Sequence, residues 1–351
     1  GKVVGTTEQK LASKIEMEVP EAVLWSPSSP KLYHLNIELL SQGQVIDQVK
    51  SYFAMREVSI RKDECGYQRI CLNGDPIFQY GTLDQGWWPD GLLTPPSEEA
   101  MLWDMVQLKN MGFNTIRKHI KVEPEQYYYY ADSLGLMMWQ DMVSGFSTER
   151  KDEEHIKPNA QTDWNAPASH TNQWQQEMFE MIDRLRFYSC ITTWVIFNEG
   201  WGQHNTVEIG HMYDVHNYPS ASMILPACNG NRISVLGEFG GYGWAIKEHL
   251  WNPGMRNWGY KNIDGAMALM DNYGRLVYDL ETLIAQGLSA AIYTQTTDVE
   301  GEVNGLITYD RKVIKIPEGL LHIMHDRLYH VNPAKVITLV PDAQNGSAVS
   351  R

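Results

Sequence analysis

The sequence predicts an α/β chain of (β/α)8-barrel type preceded by part of a β-sandwich, and three observations predict it. Residues 1–62 alternate apolar and polar side chains at period two, the mark of half-buried strands. Over residues 63–332 short apolar strands alternate with helical stretches, the pattern of a parallel α/β domain. Almost every one of those strands ends in polar or aromatic residues, and a barrel gathers its reactive groups at the carboxyl ends of its strands. Residues 333–351 are a C-terminal tail or the start of a further domain.

In the first segment, Lys31 to Leu39 alternates, a Gly-containing turn follows at Ser41-Gln42-Gly43-Gln44, and alternation resumes through Tyr52 and Phe53. Two strands are too few for a sandwich of about seven, so this reads as the later half of one. Pro76 to Gly81 is a short strand. Ser97, with Glu99 and Ala100 behind it, opens a helix running to about Met111, and Gly112 stops it. Asn114 to Lys118 is a strand, Pro124 to Leu134 a helix stopped by Gly135. Leu136 to Gln140 is nearly all apolar, as expected of a strand buried on both faces. A helix over Asn172 to Arg186 precedes strands at Ile191 to Phe197, Met212 to His216 and Ile233 to Leu236. A helical stretch over Ile263 to Gln286 leads to the last strand, Ala290 to Gln295.

Composition narrows the function. Apolar residues make up 43% and charged residues 21%, an ordinary globular balance. A net charge of −14 argues against nucleic acid, whose phosphates need a basic face, and against an anionic membrane surface. No apolar run reaches the ~18 residues of a membrane span, and no signal peptide is visible. The chain carries 12 Trp and 18 Tyr against 8 Phe, a bias that suits stacking on sugar rings as well as core packing. Cys65, Cys71, Cys190 and Cys228 have no CxxC spacing and read as free thiols, with a Cys65–Cys71 pair as the alternative. No GxGxxG or GxxxxGK[ST] follows a strand, so no nucleotide cofactor is expected.

Two glutamates stand in matching places. Glu199 follows the apolar run Ile191 to Phe197 and is bracketed by Asn198 and Gly200-Trp201-Gly202; Glu238 follows Ile233 to Leu236 and precedes Phe239-Gly240-Gly241. A carboxylate just past a buried strand can face a cleft, and hydrolysis of a glycosidic bond uses two of them. Trp194 to Gln203 resembles the acid/base motif of glycoside hydrolase family 2, and Gly237 to Gly241 its nucleophile motif. Phe78 to Gly81, Asp84 to Trp88 and Asn114 to His119 resemble its early barrel segments, and Tyr293 to Glu302 its last strand and loop. Leu24 to Pro27 and Ser51 to Arg56 are similar to the immunoglobulin-like domain before that barrel.

The resemblance implies a retaining exo-acting β-glycosidase with Glu238 as nucleophile and Glu199 as acid/base. It implies that Asn198 bonds the sugar 2-hydroxyl and that Tyr218 orients Glu238. It places Arg117, His119 and Asp141 in the substrate cleft and makes Tyr293 an aromatic platform. Asp298, Glu300 and Glu302 alternate, with His216 and His119 as further candidate ligands, but their spacing closes no metal site. No obligatory metal is expected, although some β-galactosidases of that family use magnesium. The Asn-x-Lys element with which its β-glucuronidases grip a carboxylate has no counterpart in Glu300 to Gly305. Acidic residues there would repel a uronic acid. A β-galactoside is therefore expected, with β-glucuronides and other β-glycosides as alternatives and a catalytically silent carbohydrate-binding protein as the reading from another class. A periplasmic or secreted location is expected over a cytoplasmic one, and a homo-oligomer is left open. One departure stands out. Only 39 residues separate the two glutamates, so one α/β unit is missing or shortened near residues 209–211.

Overall fold

A computed structural model describes residues 3–10, 14–143, 163–199, 202–204, 210–228 and 231–331. The chain divides into two compact units. One takes Gly1–Ser59, Cys71–Asp75 and Gly81–Glu208; the other takes Ile60–Ile70, Pro76–Tyr80 and Ile209–Arg351.

The first unit opens with an antiparallel hairpin, β1 (Tyr33–Ser41) and β2 (Gln44–Phe53), in which Tyr33 faces Phe53 and the rings stack at 5.3 Å. These two strands form a two-stranded sheet within the segment where a partial sandwich is expected. The base of the hairpin and the residues flanking it are tied to the α/β part by polar contacts and by the Tyr52 ring, which meets Tyr129 and Phe187 edge-on. The indole of Trp25 donates to the Asp132 carbonyl at 2.8 Å, the Tyr52 hydroxyl donates to the Asp132 carboxylate at 2.8 Å, and Arg56 donates to the carbonyls of Ser189 and Ile191.

Three short strands follow, β3 (Val58–Lys62), β4 (Gln68–Leu72) and β5 (Asp75–Pro76), with residues in both units. Next come β6 (Gln79–Asp84), α1 (Glu98–Asn110), β7 (Thr115–Lys118), α2 (Glu125–Leu134), β8 (Met137–Asp141), α3 (Ala168–Leu185) and β9 (Ile191–Val195). From Gly81 onward β6 pairs with β7, β7 with β8 and β8 with β9, all parallel. Helix α1 begins where Ser97 accepts from the Ala100 N–H at 3.2 Å, a cap worth about 1 kcal/mol. It buries Met101, Met105 and Leu108, a stripe at helical spacing. Gly135 ends α2 in the left-handed conformation at φ 71°, which costs glycine nothing.

The second unit contains β10 (Met212–Asn217), β11 (Ile233–Gly240), the short pair β12 (Tyr242–Gly243) and β13 (Lys261–Asn262), then α4 (Gly265–Ala285), β14 (Leu288–Thr294) and α5 (Glu318–Tyr329). Here β10 pairs with β11 and β11 with β14, again parallel. β11 and β14 are buried along their whole length, as strands covered on both faces must be. Buried Arg69 donates to the carbonyls of Leu288 and Ile284 and to Asp63, which closes the end of α4.

The α/β class is as expected, and among the described residues the parallel strands of the main sheet number four in the first unit and three in the second, besides the short parallel pair β12 and β13. A barrel of this type has eight. Among the described residues no strand lies between β9 and β10, which agrees with the short spacing of the glutamates. The helix expected to begin near Asn205 and the C-terminal segment 333–351 lie outside the described residues. Helix α5, which periodicity did not single out, is an addition. All four cysteines are free; Cys71 and Cys190 are buried, whereas Cys65 and Cys228 are exposed.

Candidate active site

In the first unit the chemistry collects past the carboxyl ends of β6, β7, β8 and β9. Arg117, on β7, is fully buried and meets Asp141, at the end of β8, through two bonds of 3.0 Å. A second donor of the same guanidinium reaches the Asn198 side-chain oxygen at 2.8 Å. Asn198 follows β9 by three residues and is 2% exposed. Phe197 beside it stacks on Trp174 of α3 at 4.8 Å, and His204 meets both rings edge-on, so the segment leaving β9 rests on an aromatic floor. Glu199 comes next. It is exposed and has a φ of 49°, uncommon for a residue with a side chain and often found where function fixes the backbone. His119 is half-buried, and its backbone N–H donates to the Asp84 carbonyl at 3.0 Å.

A buried charge cluster lies at the same strand ends. The Lys118 ammonium, on β7, pairs with Asp84 at 3.0 Å and with Glu123 at 2.5 Å, and Lys121 pairs with Glu123 at 2.7 Å. Burial alone would raise the Asp84 carboxyl. The charge of Lys118 and the bonds from Tyr127, Lys118 and Gly86 outweigh it and hold Asp84 down at about 2.

In the second unit Glu238 sits inside β11 rather than past its end. Val215 faces Leu236 and His216 faces Glu238, so Gly237 is an extra residue on β11. This β-bulge changes the alternation of the strand and re-aims the side chains beyond it. Glu238 is 3% exposed, and the Tyr218 hydroxyl donates to it at 2.5 Å. The same hydroxyl lies 2.8 Å from the Thr294 hydroxyl, and the Tyr218 ring lies flat against Tyr260 at 3.5 Å. Burial, and then the charge of Glu238, push the Tyr218 phenol far above its ordinary value, so it stays a donor. His216 stands between Asp214 and Glu238, 3.5 Å from each carboxylate. Asp214 in turn accepts from the Gly237 N–H at 2.6 Å.

Of the residues expected from the sequence, the structure brings Arg117, Asp141 and Asn198 into one network in the first unit. It brings Tyr218 and Glu238 together in the second. Tyr293 is a correction. It is fully buried, edge-on to Phe239 and to Tyr273, and packed against Gly240, so it presents no face to a ligand. Asp214 and the bulge at Gly237 were missed, although a glycine directly before the expected nucleophile is a signal for one. Lys118, Asp84 and Glu123 were also missed as a cluster. Asp298 is taken by Lys315 at 2.7 Å, and Glu302 accepts from the Asn304 amide, so both are engaged within the loop after β14.

Within each unit, parallel strands carry polar side chains at or near their carboxyl ends, the place where α/β enzymes gather their reactive groups. The chain is similar to members of glycosyl hydrolases family 2. The family model of that description matches residues 1–56. A Formosa agariphila protein named as a candidate β-glucuronidase is 32% identical over 203 residues, 57% of this chain and 18% of its own length. A β-galactosidase of Thermoanaerobacter pseudethanolicus is 24% identical over 213 residues, 59% of this chain and 25% of that one. Among solved structures, the Bifidobacterium dentium β-glucuronidase complexed with coumarin-3-O-glucuronide superposes with a TM-score of 0.68 at 14% identity, covering 95% of this chain and 60% of that one. The chain thus spans a quarter or less of these two curated relatives, and the structural likeness speaks for the fold alone.

Proposed function

We propose that this chain is the catalytic part of a retaining, exo-acting β-glycosidase. Glu238 attacks the anomeric carbon to form a glycosyl-enzyme. Glu199 protonates the leaving oxygen and then takes a proton from the water that releases the sugar. The observation that carries this reading is the setting of Glu238. It is a buried carboxylate re-aimed by a bulge at the end of a parallel strand and held at one oxygen by a phenol that cannot take its charge. Exposed Glu199, on a turn that fixes its backbone, is placed to exchange protons with water. His119 is proposed to line the sugar site with Asn198, while Arg117 and Asp141, both buried, support it from behind.

A neutral β-galactoside is the proposed substrate, because acidic residues dominate Glu300 to Gly305 and Lys315, the cation that contacts this loop, is buried against Asp298. β-Glucuronide hydrolysis is the second reading, favoured by the names of two relatives. A set of p-nitrophenyl β-glycosides decides between them. Glu238→Gln is expected to lower kcat on the best substrate by on the order of 10⁴-fold or more. Glu199→Ala is expected to regain turnover of an activated aryl glycoside when azide is added. Full activity in Glu238→Gln would sink the mechanism.

A further inference from the structure

Strand β10 sets two ionisable side chains on one face, because Asp214 and His216 are two residues apart. Both reach groups of β11. The two oxygens of Asp214 are divided between them: Oδ1 accepts from the Gly237 N–H at 2.6 Å, and Oδ2 lies 3.5 Å from His216 Nε2. The other ring nitrogen, Nδ1, lies 3.5 Å from Oε2 of Glu238, the same oxygen that the Tyr218 hydroxyl reaches. Glycine is required at 237, where a Cβ would collide with both Asp214 oxygens. The imidazole is thus wedged between two carboxylates, with its side chain 19% exposed and that of Glu238 5%. A neutral ring has one N–H and one lone pair, so one of its nitrogens would set a lone pair against a carboxylate oxygen. The imidazolium presents a donor to each side.

We propose that His216 is a positioning residue for Glu238: kept charged by Asp214, it holds the nucleophile as a carboxylate and so hastens release of the sugar from the glycosyl-enzyme. The inference rests on the glycosidase reading above and deepens it by assigning a residue to one of its two steps. In that second step the oxygen of a water forms a bond to the anomeric carbon, and the bond from that carbon to the Glu238 oxygen breaks. The electron pair of the broken bond returns to the carboxylate, while the proton of the water passes to Glu199. Glu238 is therefore neutral in the ester and negative once the sugar has left. A cation beside it favours the negative state, and more strongly where water is excluded. It hastens the step that restores the charge and slows the step that consumes it.

Opposite signs make the test specific. The probe is a 2,4-dinitrophenyl 2-deoxy-2-fluoro-β-glycoside of the sugar best turned over by the wild type, which slows both steps enough to time each apart. Loss of activity reports formation of the ester, recovery after removal of excess probe reports its hydrolysis, and intact mass shows the fluoroglycosyl group on the chain. In His216→Gln recovery is expected to slow by on the order of 10²-fold, while inactivation runs at the wild-type rate or faster. Asp214→Asn is expected to act in the same direction. Its amide oxygen still accepts from the Gly237 N–H, but its N–H₂ faces Nε2 and suits a neutral ring. A merely structural role would slow both steps. Equal slowing of inactivation and recovery, or an unchanged recovery, therefore overturns the proposal. If His216→Gln does not fold, Asp214→Asn is judged alone by the same criterion. A wild type that hydrolyses no β-glycoside and takes up no fluoroglycosyl group defeats the glycosidase reading and this assignment with it, whereas an active wild type whose variants slow alike in both steps defeats the assignment alone.

Discussion

Asp84 and Lys118 show how much rests on single residues here. The Lys118 side chain is buried and that of Asp84 is 14% exposed, the carboxyl is held at about 2 against an ordinary 3.8, and Lys118 is raised despite the burial that would lower it. The sign follows from the depressed carboxyl. Its stabilisation is fully present above about pH 4 and is lost as the pH falls through about 2, a contribution of about 2 kcal/mol. Asp84→Asn should therefore cost about that much at neutral pH and flatten the acid limb of stability between about pH 4 and pH 2. Urea midpoints across that range check it, and parallel curves for the two proteins would count against it. Single residues also mark the limits of the sequence. Arg117, Asp141, Asn198 and Glu238 were each legible from their motifs. Their mutual bonds were not, because three strand ends bring the first three together and a bulge sets the aim of the fourth.

At the scale of elements, the helices were legible where the chain announces their ends. Ser97 caps α1 and Gly135 stops α2 where expected, each for a local reason. Strand β11 was read too short, since Gly237 looks like a terminator until a neighbouring strand shows that pairing continues past it. Tyr293 was misread because an aromatic at a strand end has the same local pattern whether it faces core or cleft. The joint between the hairpin and the α/β part was invisible, because it draws on Asp132 in the last turn of α2. That carboxylate accepts from Tyr52 and from the Cys190 N–H, and all three partners are at least half-buried. Asp132→Ala should strand two donors and cost about 2–4 kcal/mol. A loss below about 0.5 kcal/mol by urea unfolding would show that the joint is held elsewhere.

For the whole molecule, the strand count is the governing fact. Sixteen residues, 196–211, separate β9 from β10. Among the described residues of that stretch there is no further strand. Within their units β9 pairs only with β8 and β10 only with β11, which leaves each with one hydrogen-bonded neighbour among the described residues. Unpaired strand edges invite pairing with another chain. Light scattering over a range of concentrations should show association that grows with concentration, and a monodisperse monomer throughout would contradict this.

The extra residue at Gly237 carries a consequence of another kind. Along a strand, inside and outside are assigned by counting, and one additional position shifts the count for everything after it. Glu238 and Phe239 are neighbours with opposite destinies, one the proposed nucleophile and one 0% exposed. A single-codon loss at position 237 would exchange them without touching either side chain. The reactivity of this strand is thus stored as arithmetic in the backbone, a form of information that inspection of the glutamate alone never reveals.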